Sequence, residues 1–371
     1  MIEEIFNDCN SVEHGGNIYR LAEELKIQER KVIDFSSSVN PLGVSKKVKA
    51  EVRKHLKYLH NYPDPEAKRL RKRLAQYHGI DLETILCGNG SIELIYLIAR
   101  ALKPQKVLIP APTFSEYERA CTTSCKSQVA SYELKKEDDF NINPEEFVEA
   151  MKGCDMAFLC NPNNPTGRLL KKEGVRKIAD TAKELKCYLI VDEAFIDFCP
   201  EETVINEVQN NSYLIVLRSM TPFYALPGLR IGYGIFPMHL IRTLKEHKEP
   251  WTVNSLAQRA AVVALKDKVY RNETLRLIKA VKQFFEKNFK KVGIEYFHSD
   301  TNFYLIRIEN ANEISRQLGR KGMLVRECKE FRGLDNTYLR IAVKSHRENT
   351  ILIKELTAFL DKRNNEENKN R

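Results

Sequence analysis

The stretch that decides the reading runs Arg218-Ser219-Met220-Thr221-Pro222-Phe223-Tyr224-Ala225-Leu226-Pro227-Gly228-Leu229-Arg230-Ile231-Gly232-Tyr233. An apolar run over 213–217 precedes it and reads as a buried strand bounded by turn signals. Two hydroxyls, Ser219 and Thr221, then stand two residues apart, and Arg230 follows nine residues after the second. Small donors at close range, faced by one guanidinium fork, suit a phosphate dianion. A plain strand-to-loop transition would use the same residues, so the rest of the chain has to decide.

Outward from this stretch, 84–87, 106–109, 129–134, 156–160, 188–191 and 231–235 read as strands. Helical patterns fill the intervals over 92–102, from about 115, over 144–151 and over 171–185. Strands alternating with helices of this length predict an α/β fold, a mostly parallel sheet covered on both faces. Upstream lie a short strand at 32–36, a turn-rich loop at 38–43, a basic helix to about 59, a break at 61–65 and a helix to about 78. Downstream come helices near 238–245 and 254–266, then a long basic helix over about 271–291. The remainder mixes strands (303–308, 323–327, 338–343) with helices and reads as a smaller C-terminal α+β domain. The expected division is an N-terminal arm and substrate loop, 1–45, packing with the small domain; a large domain, 46–270; the small domain, 271–361; and a fraying polar tail, 362–371.

With 371 residues, 43% hydrophobic and 30% charged, the chain has ample material for such a core. The formal charge of +10 lies largely in helical stretches where basic residues alternate with Val, Leu and Tyr, the pattern of a solvated face. No nucleic-acid motif accompanies it, and the surplus suits anionic small molecules. The start, Met1-Ile2-Glu3-Glu4, lacks an apolar signal region, and no run reaches membrane-spanning length, so a cytoplasmic location without membrane contact is expected. Nine cysteines without a Cys-x-x-Cys pair, and eight histidines without metal spacing, predict reduced thiols and no metal.

In an open parallel sheet, ligands bind beyond the carboxyl ends of the strands. Gly88-Asn89-Gly90-Ser91 opens a helix there, and free amides at such a terminus favour phosphate. Asn161-Pro162-Asn163-Asn164-Pro165-Thr166-Gly167 is richer in proline and asparagine than a loop needs. Asp192 ends the run Tyr188-Leu189-Ile190-Val191, where a carboxylate has to be paired, hydrogen-bonded or solvated. Read singly, each has a plain alternative: a helix-opening glycine, an N-cap, a local ion pair.

Together these stretches resemble the fold type I pyridoxal-phosphate enzymes, the aspartate aminotransferase superfamily. The series Asn-Pro-Thr-Gly, Asp-Glu-Ala-Phe, Ser-x-Thr and Gly-Leu-Arg spans almost the whole chain. Within it the chain resembles the histidinol-phosphate aminotransferase branch, and there the threonine-phosphate decarboxylases of cobalamin synthesis. His14-Gly15-Gly16-Asn17, Asp34-Phe35-Ser36, Asn40-Pro41-Leu42-Gly43, 192–198, Val325-Arg326-Glu327-Cys328 and Tyr338-Leu339-Arg340 carry that resemblance. It implies that Ser91, the Ile92 amide, Ser219, Thr221 and Arg230 hold the phosphate of pyridoxal 5'-phosphate, joined by Tyr62 from a neighbouring subunit of a homodimer. Phe114 would stack on the ring, Asn164 would bond its hydroxyl, and Asp192 would pair with its nitrogen. Arg340 would bind the carboxylate of a phosphorylated amino acid, and His14 and Arg326 its phosphate. Phe195 stands where many aminotransferases carry a tyrosine. At each arginine a surface ion pair is the plain alternative.

One position departs from this pattern. The family places its Schiff-base lysine directly after the Ser/Thr pair, where this chain has Pro222. Proline has no side-chain amine to anchor the cofactor or to move protons at the reacting carbon. Three readings follow: a decarboxylase of a phosphorylated amino acid, disabled as it stands; a histidinol-phosphate-type aminotransferase, which needs the lysine even more; or a non-catalytic homologue that binds ligand. Lys171 and Lys172 lie in sequence beside site loops.

Overall fold

Residues 15–369 are described in a computed structural model of the chain, with side chains through Asp361. The strands, in chain order, are β1 (Ile33–Asp34), β2 (Ile85–Gly88), β3 (Lys106–Ala111), β4 (Gln128–Glu133), β5 (Met156–Cys160), β6 (Tyr188–Asp192), β7 (Leu214–Ser219), β8 (Gly232–Ile235), β9 (Glu295–Tyr296), β10 (Phe303–Arg307), β11 (Met323–Leu324), β12 (Arg326–Glu327) and β13 (Tyr338–Ala342). Seven of them form the main sheet in the order β2-β8-β7-β6-β5-β3-β4. Pairing is parallel from β7 through β6, β5 and β3 to β4, while β8 runs antiparallel between β7 and β2.

Strict alternation along these apolar runs makes a sheet with two buried faces. Leu189, Val191, Ala157, Leu159, Leu214 and Val216 enter one core with the helices Lys68–His78, Lys172–Leu185 and Ser255–Ala264. Ile190, Met156, Phe158, Ile215 and Leu217 enter the other, with Ser91–Leu102, Glu116–Cys125 and Met238–His247. Strands covered on both sides read as near-continuous hydrophobic runs, which is why they were visible in the sequence.

The alternation continues past the last apolar residue and sorts the polar ones. Asp192 shares its parity with Ile190 and turns toward the second face. Arg218 shares its parity with Val216 and turns toward the first. The Glu193 amide donates to the Leu217 carbonyl at 2.8 Å, which carries the pairing one residue beyond β6. Arg218 Nη1 then donates to Glu193 Oε2 at 2.9 Å and Nη2 to Asp197 Oδ1 at 2.7 Å. All three side chains are buried. Burial works against the Arg218 charge, but Asp197 and Glu193 outweigh it and hold its pKa well above the usual arginine value. Thr203 Oγ1 and the Val204 amide donate to Glu193 at 2.6 and 2.7 Å, completing the carboxylate. Beside this cluster His78 bonds the Tyr233 hydroxyl at 2.8 Å, and burial, aided by Arg218, pushes its pKa down to about 2.

The smaller sheet is antiparallel in the order β12-β13-β10-β9. Its core takes Phe285 and Phe289 from the helix Lys268–Val292 and Leu352 and Leu356 from the helix His346–Lys369. β1 pairs in parallel with β11, Ile33 opposite Met323, and the Ala342 amide donates to the Phe35 carbonyl at 2.8 Å. Asn40 ties the following loop to the centre: its amide donates to the Pro222 carbonyl at 2.9 Å, and Nδ2 donates to Phe223 O and Thr274 Oγ1 at 2.8 and 2.7 Å.

Several expected boundaries move. The strand expected over 323–327 is two strands, because β11 pairs with β1 and β12 with β13 in different sheets. The long helix begins at Lys268, where Asp267 caps it. The helix expected to reach 59 ends at His55 and tightens into a 3₁₀ turn over Leu56–Tyr58. The last helix, His346–Lys369, runs on into the polar stretch expected as a tail. The described cysteines are free thiols, no metal-binding cluster occurs among the described residues, and no described helix is long and apolar enough to cross a membrane.

Removing one partner of a buried ion cluster leaves the others uncompensated. Arg218→Met should therefore lose roughly 3–5 kcal/mol of unfolding free energy, read from denaturant titration. A loss below about 1 kcal/mol would show that the cluster does not hold β6 and β7 together.

Candidate functional site

A cavity of about 730 Å³ lies at the carboxyl ends of the main strands, closed on its other side by the 34–39 loop and the small sheet. Ser91, Ile92, Phe114, Asn164, Asp192, Ser219, Thr221, Pro222, Arg230, Arg326 and Arg340 all line it. These residues come from seven separate stretches of chain, and the fold brings them together.

One end has the features of a phosphate cup. Gly90 precedes the helix Ser91–Leu102 with φ of +79° and no side chain caps the helix, which leaves its first amides available. A Cβ on Gly90 would lie 2.5 Å from Arg230 Nη2, and one on Gly232 would lie 2.7 Å from the Gly90 carbonyl carbon. The two glycines are what allow Arg230 to close over the cup. Ser219, opposite Gly232 in the β7–β8 ladder, accepts the Thr221 amide at 3.2 Å.

Asp192 sits at the floor, 3% exposed. Its Oδ2 accepts from Tyr117 Oη at 2.8 Å and its Oδ1 from the Ala194 amide at 3.0 Å. Burial raises its pKa to about 6, against the pull of these two donors. Burial, with Asp192 beside it, lifts the Tyr117 hydroxyl well above its normal value, so it stays a donor. Tyr117 is itself stacked on Phe158 at 4.7 Å and edge-on to Phe114 at 5.6 Å. A carboxylate held this way is half-neutralised by hydrogen bonds and suited to a cationic ring nitrogen.

The asparagine loop is rigidly braced. Asn161 exchanges two hydrogen bonds with Leu170, and Asn163 bonds Thr113, Thr166 and the Pro112 carbonyl. Asn164 Oδ1 accepts from Arg340 Nη1, which leaves its Nδ2 to donate elsewhere. Arg340 Nη2 donates to the Ser36 carbonyl at 2.6 Å, and burial draws its pKa down to about 10.

Arg326 stands directly opposite Arg340 across β12 and β13. Like charges in that position repel, and only an anion between them makes the pairing favourable. Arg326 also touches Glu330 at 3.3 Å and lies over the Phe331 ring at 5.3 Å. Phe195 packs edge-on to Phe303 at 5.1 Å and lines the cavity.

Pro222 is buried in the cavity wall, in the first turn of the short helix Thr221–Tyr224. A proline is tolerated there because no acceptor waits for its missing N–H. Lys171 and Lys172 are ion-paired to Glu202 and Glu207 at 2.8 and 3.9 Å and do not line the cavity. Lys344 does line it. Tyr62 lies outside its own chain's cavity, 83% exposed, with its ring 5.3 Å from Trp251. His14 lies outside the described residues.

Sequence reasoning missed Tyr117, Asn163 and Lys344. Asn163 stood inside a loop already singled out, but a tyrosine in mid-helix and a lysine after a strand carry no local signal. The donor set suits pyridoxal phosphate: the cup would take its phosphate, Phe114 lines the cavity beside it, and Asp192 would answer a ring nitrogen. At the aldehyde the fit fails, for Pro222 offers no amine.

Comparison with known proteins finds relatives along almost the whole chain. The chain is 35% identical over 351 residues to the threonine-phosphate decarboxylase of Salmonella typhimurium, covering 94% of this chain and 96% of that one. The fold superposes on the L-threonine-O-3-phosphate decarboxylase from Porphyromonas gingivalis with a TM-score of 0.80 at 30% identity, over 89% of this chain and 100% of the other. It superposes on the histidinol-phosphate aminotransferase from Clostridium acetobutylicum with a TM-score of 0.83 at 33% identity, again over 89% and 100%. The family model described as aminotransferase class I and II matches residues 30–356. With that match and these relatives, the chain belongs to the class I and II aminotransferase family, whose fold type I architecture it shares.

Proposed function

We propose that this chain binds pyridoxal 5'-phosphate without a covalent anchor, together with an amino acid phosphate of the threonine-phosphate kind, at a site built for decarboxylation in cobalamin synthesis. The observation that carries the reading is that Arg326 and Arg340, register partners on neighbouring strands, line the same cavity as Asp192 and the phosphate cup. Ser91, Ile92, Ser219, Thr221 and Arg230 hold the cofactor phosphate, Phe114 covers the ring, and Asn164 Nδ2 bonds the ring hydroxyl. When bound, pyridoxal phosphate supplies an electron sink for a bond breaking at the substrate α-carbon. Asp192 keeps a proton at the ring nitrogen. Arg340 fixes the substrate carboxylate, and Arg326, with His14, takes its phosphate.

Pro222 removes the group that would move protons at the α-carbon, and general acid–base catalysis is worth roughly 10²–10⁴ in rate. Ligand binding therefore survives while turnover falls. A transaminase reading fares worse, since transamination requires that proton movement twice, and Phe195 offers no hydroxyl to the ring.

The exposed apolar side chains Leu56, Leu59, Tyr62 and Trp251 suggest how the site is completed. We assign this face to a homodimer in which Tyr62 reaches the partner's cup.

Three measurements check this reading. Borohydride treatment of the pyridoxal-phosphate-loaded protein should leave no adduct on any lysine, whereas Pro222→Lys should gain one at position 222 and release carbon dioxide from O-phospho-L-threonine. An adduct on another lysine of the unmodified chain, or transamination by the variant, would overturn the assignment.

The second concerns Asp192. Its pKa rises from 3.8 unfolded to about 6 folded, so its favourable contribution is complete below pH 3.8 and is lost as pH climbs through about 6. Above that range the unliganded protein carries a penalty on the order of 3 kcal/mol. Asp192→Asn should remove the penalty, making the unliganded protein more stable at pH 8 but not at pH 4, while weakening cofactor binding. Equal stability change at both pH values would refute this.

The third is mass. Sedimentation should show two chains per particle, shifted toward one by Trp251→Asp; a monomeric unmodified protein would remove the shared-face proposal.

A further inference from the structure

Lys344 follows β13 and is half-buried against the cavity. Its Nζ donates to the Ser37 carbonyl at 3.1 Å, and no carboxylate among the described residues lies within ion-pair distance of it. The two nearby acids are engaged elsewhere. Asp34 Oδ1 accepts from Ser36 N, Ser36 Oγ and Ser37 N at 2.9, 2.6 and 3.1 Å. Glu348 Oε2 accepts from Ser345 N and Oγ at 3.0 and 2.5 Å. Arg340, four residues earlier, donates to the neighbouring Ser36 carbonyl and has no carboxylate partner among the described residues. Ser38, which also lines the cavity, has a buried hydroxyl with no hydrogen-bond partner. Burial lowers the Lys344 pKa, against the opposing pull of Asp34 and Glu348.

We infer that Lys344 is a further substrate-binding cation of this cavity, which with Arg326 and Arg340 matches an amino acid carrying both a carboxylate and a phosphate. This rests on the proposed reading of the cavity as a phospho-amino-acid site. Such a ligand brings about three negative charges at neutral pH, and these three side chains are the cations on the wall away from the cofactor cup. A third cation gives the site a preference for the doubly anionic ligand over a single anion, a difference of affinities that Arg326 and Arg340 alone would provide less strongly.

The test is calorimetric titration of the unmodified protein, Lys344→Arg and Lys344→Gln, each with and without pyridoxal phosphate. The ligands are O-phospho-L-threonine, phosphoethanolamine and L-threonine. Glutamine can still donate to the Ser37 carbonyl, so a residue that merely braces the loop would tolerate it. We expect Lys344→Gln to weaken O-phospho-L-threonine roughly tenfold or more, as loss of a charge-assisted hydrogen bond does, and to flatten the salt dependence. Lys344→Arg should stay within a few-fold, and the unliganded melting temperature of Lys344→Gln should not fall. A loss shared by phosphoethanolamine but not by L-threonine assigns the phosphate to Lys344; the converse assigns the carboxylate. Equal binding by Lys344→Gln, or equal loss in both variants with a lowered melting temperature, overturns the inference. Failure of pyridoxal phosphate to bind while O-phospho-L-threonine does would sink the cofactor reading and leave Lys344 judged on the same comparison. Cofactor binding without any O-phospho-L-threonine binding would sink Lys344.

Discussion

The site depends on the buried cluster of Arg218, Glu193 and Asp197. Glu193 and Arg218 adjoin Asp192 and Ser219 in sequence but point to the opposite face of the sheet. Two strand ends are thereby clamped from below, and the residues above are left free to face a ligand. Because a strand turns successive side chains to opposite sides, one pair of dipeptides supplies both the brace and the binding groups. Isolated buried ions are costly, and the hydrogen bonds from Thr203 and Val204 to Glu193 are what make the arrangement tolerable.

Above the sheet the electrostatics run the other way. Arg326, Arg340 and Lys344 gather on one wall with few carboxylates to answer them, and Arg340 rests on carbonyls and an aromatic face instead. A protein selected only for stability would not put two guanidinium groups opposite each other on neighbouring strands. The unfavourable arrangement is relieved by whatever anion enters, and binding free energy comes partly from that relief. Asp192 presents the same logic with opposite sign: among the described residues, this buried carboxylate is answered by Tyr117 and the Ala194 amide rather than by a cation.

The fold was legible in the sequence because its central strands are doubly buried and therefore continuous apolar runs. The candidate site was legible where residues sit at strand ends within short motifs, as Asp192, Ser219 and Asn164 do. Tyr117 could not be read, because it reaches Asp192 from a helix 75 positions away through tertiary packing. The Arg218 cluster was spelled out within the quoted stretches, yet its role appears only once the β6–β7 register is known. Lys344 gave no signal at all: its place at the cavity wall, held by the Ser37 carbonyl, is a property of three-dimensional surroundings. The split between β11 and β12 escaped for a related reason, since both halves have strand composition and only the identity of each partner separates them.

Pro222 occupies a turn that accepts it, its carbonyl still receives the Asn40 amide, and the ion cluster below is untouched. The information that specifies this shape is thus stored away from the single position that would confer chemistry. A lineage can shed that chemistry and still accumulate a well-made protein, so selection acting on abundance alone would not register the change. Redundant copies of such a scaffold are therefore free to drift toward sensing or scavenging roles while remaining intact as folded objects.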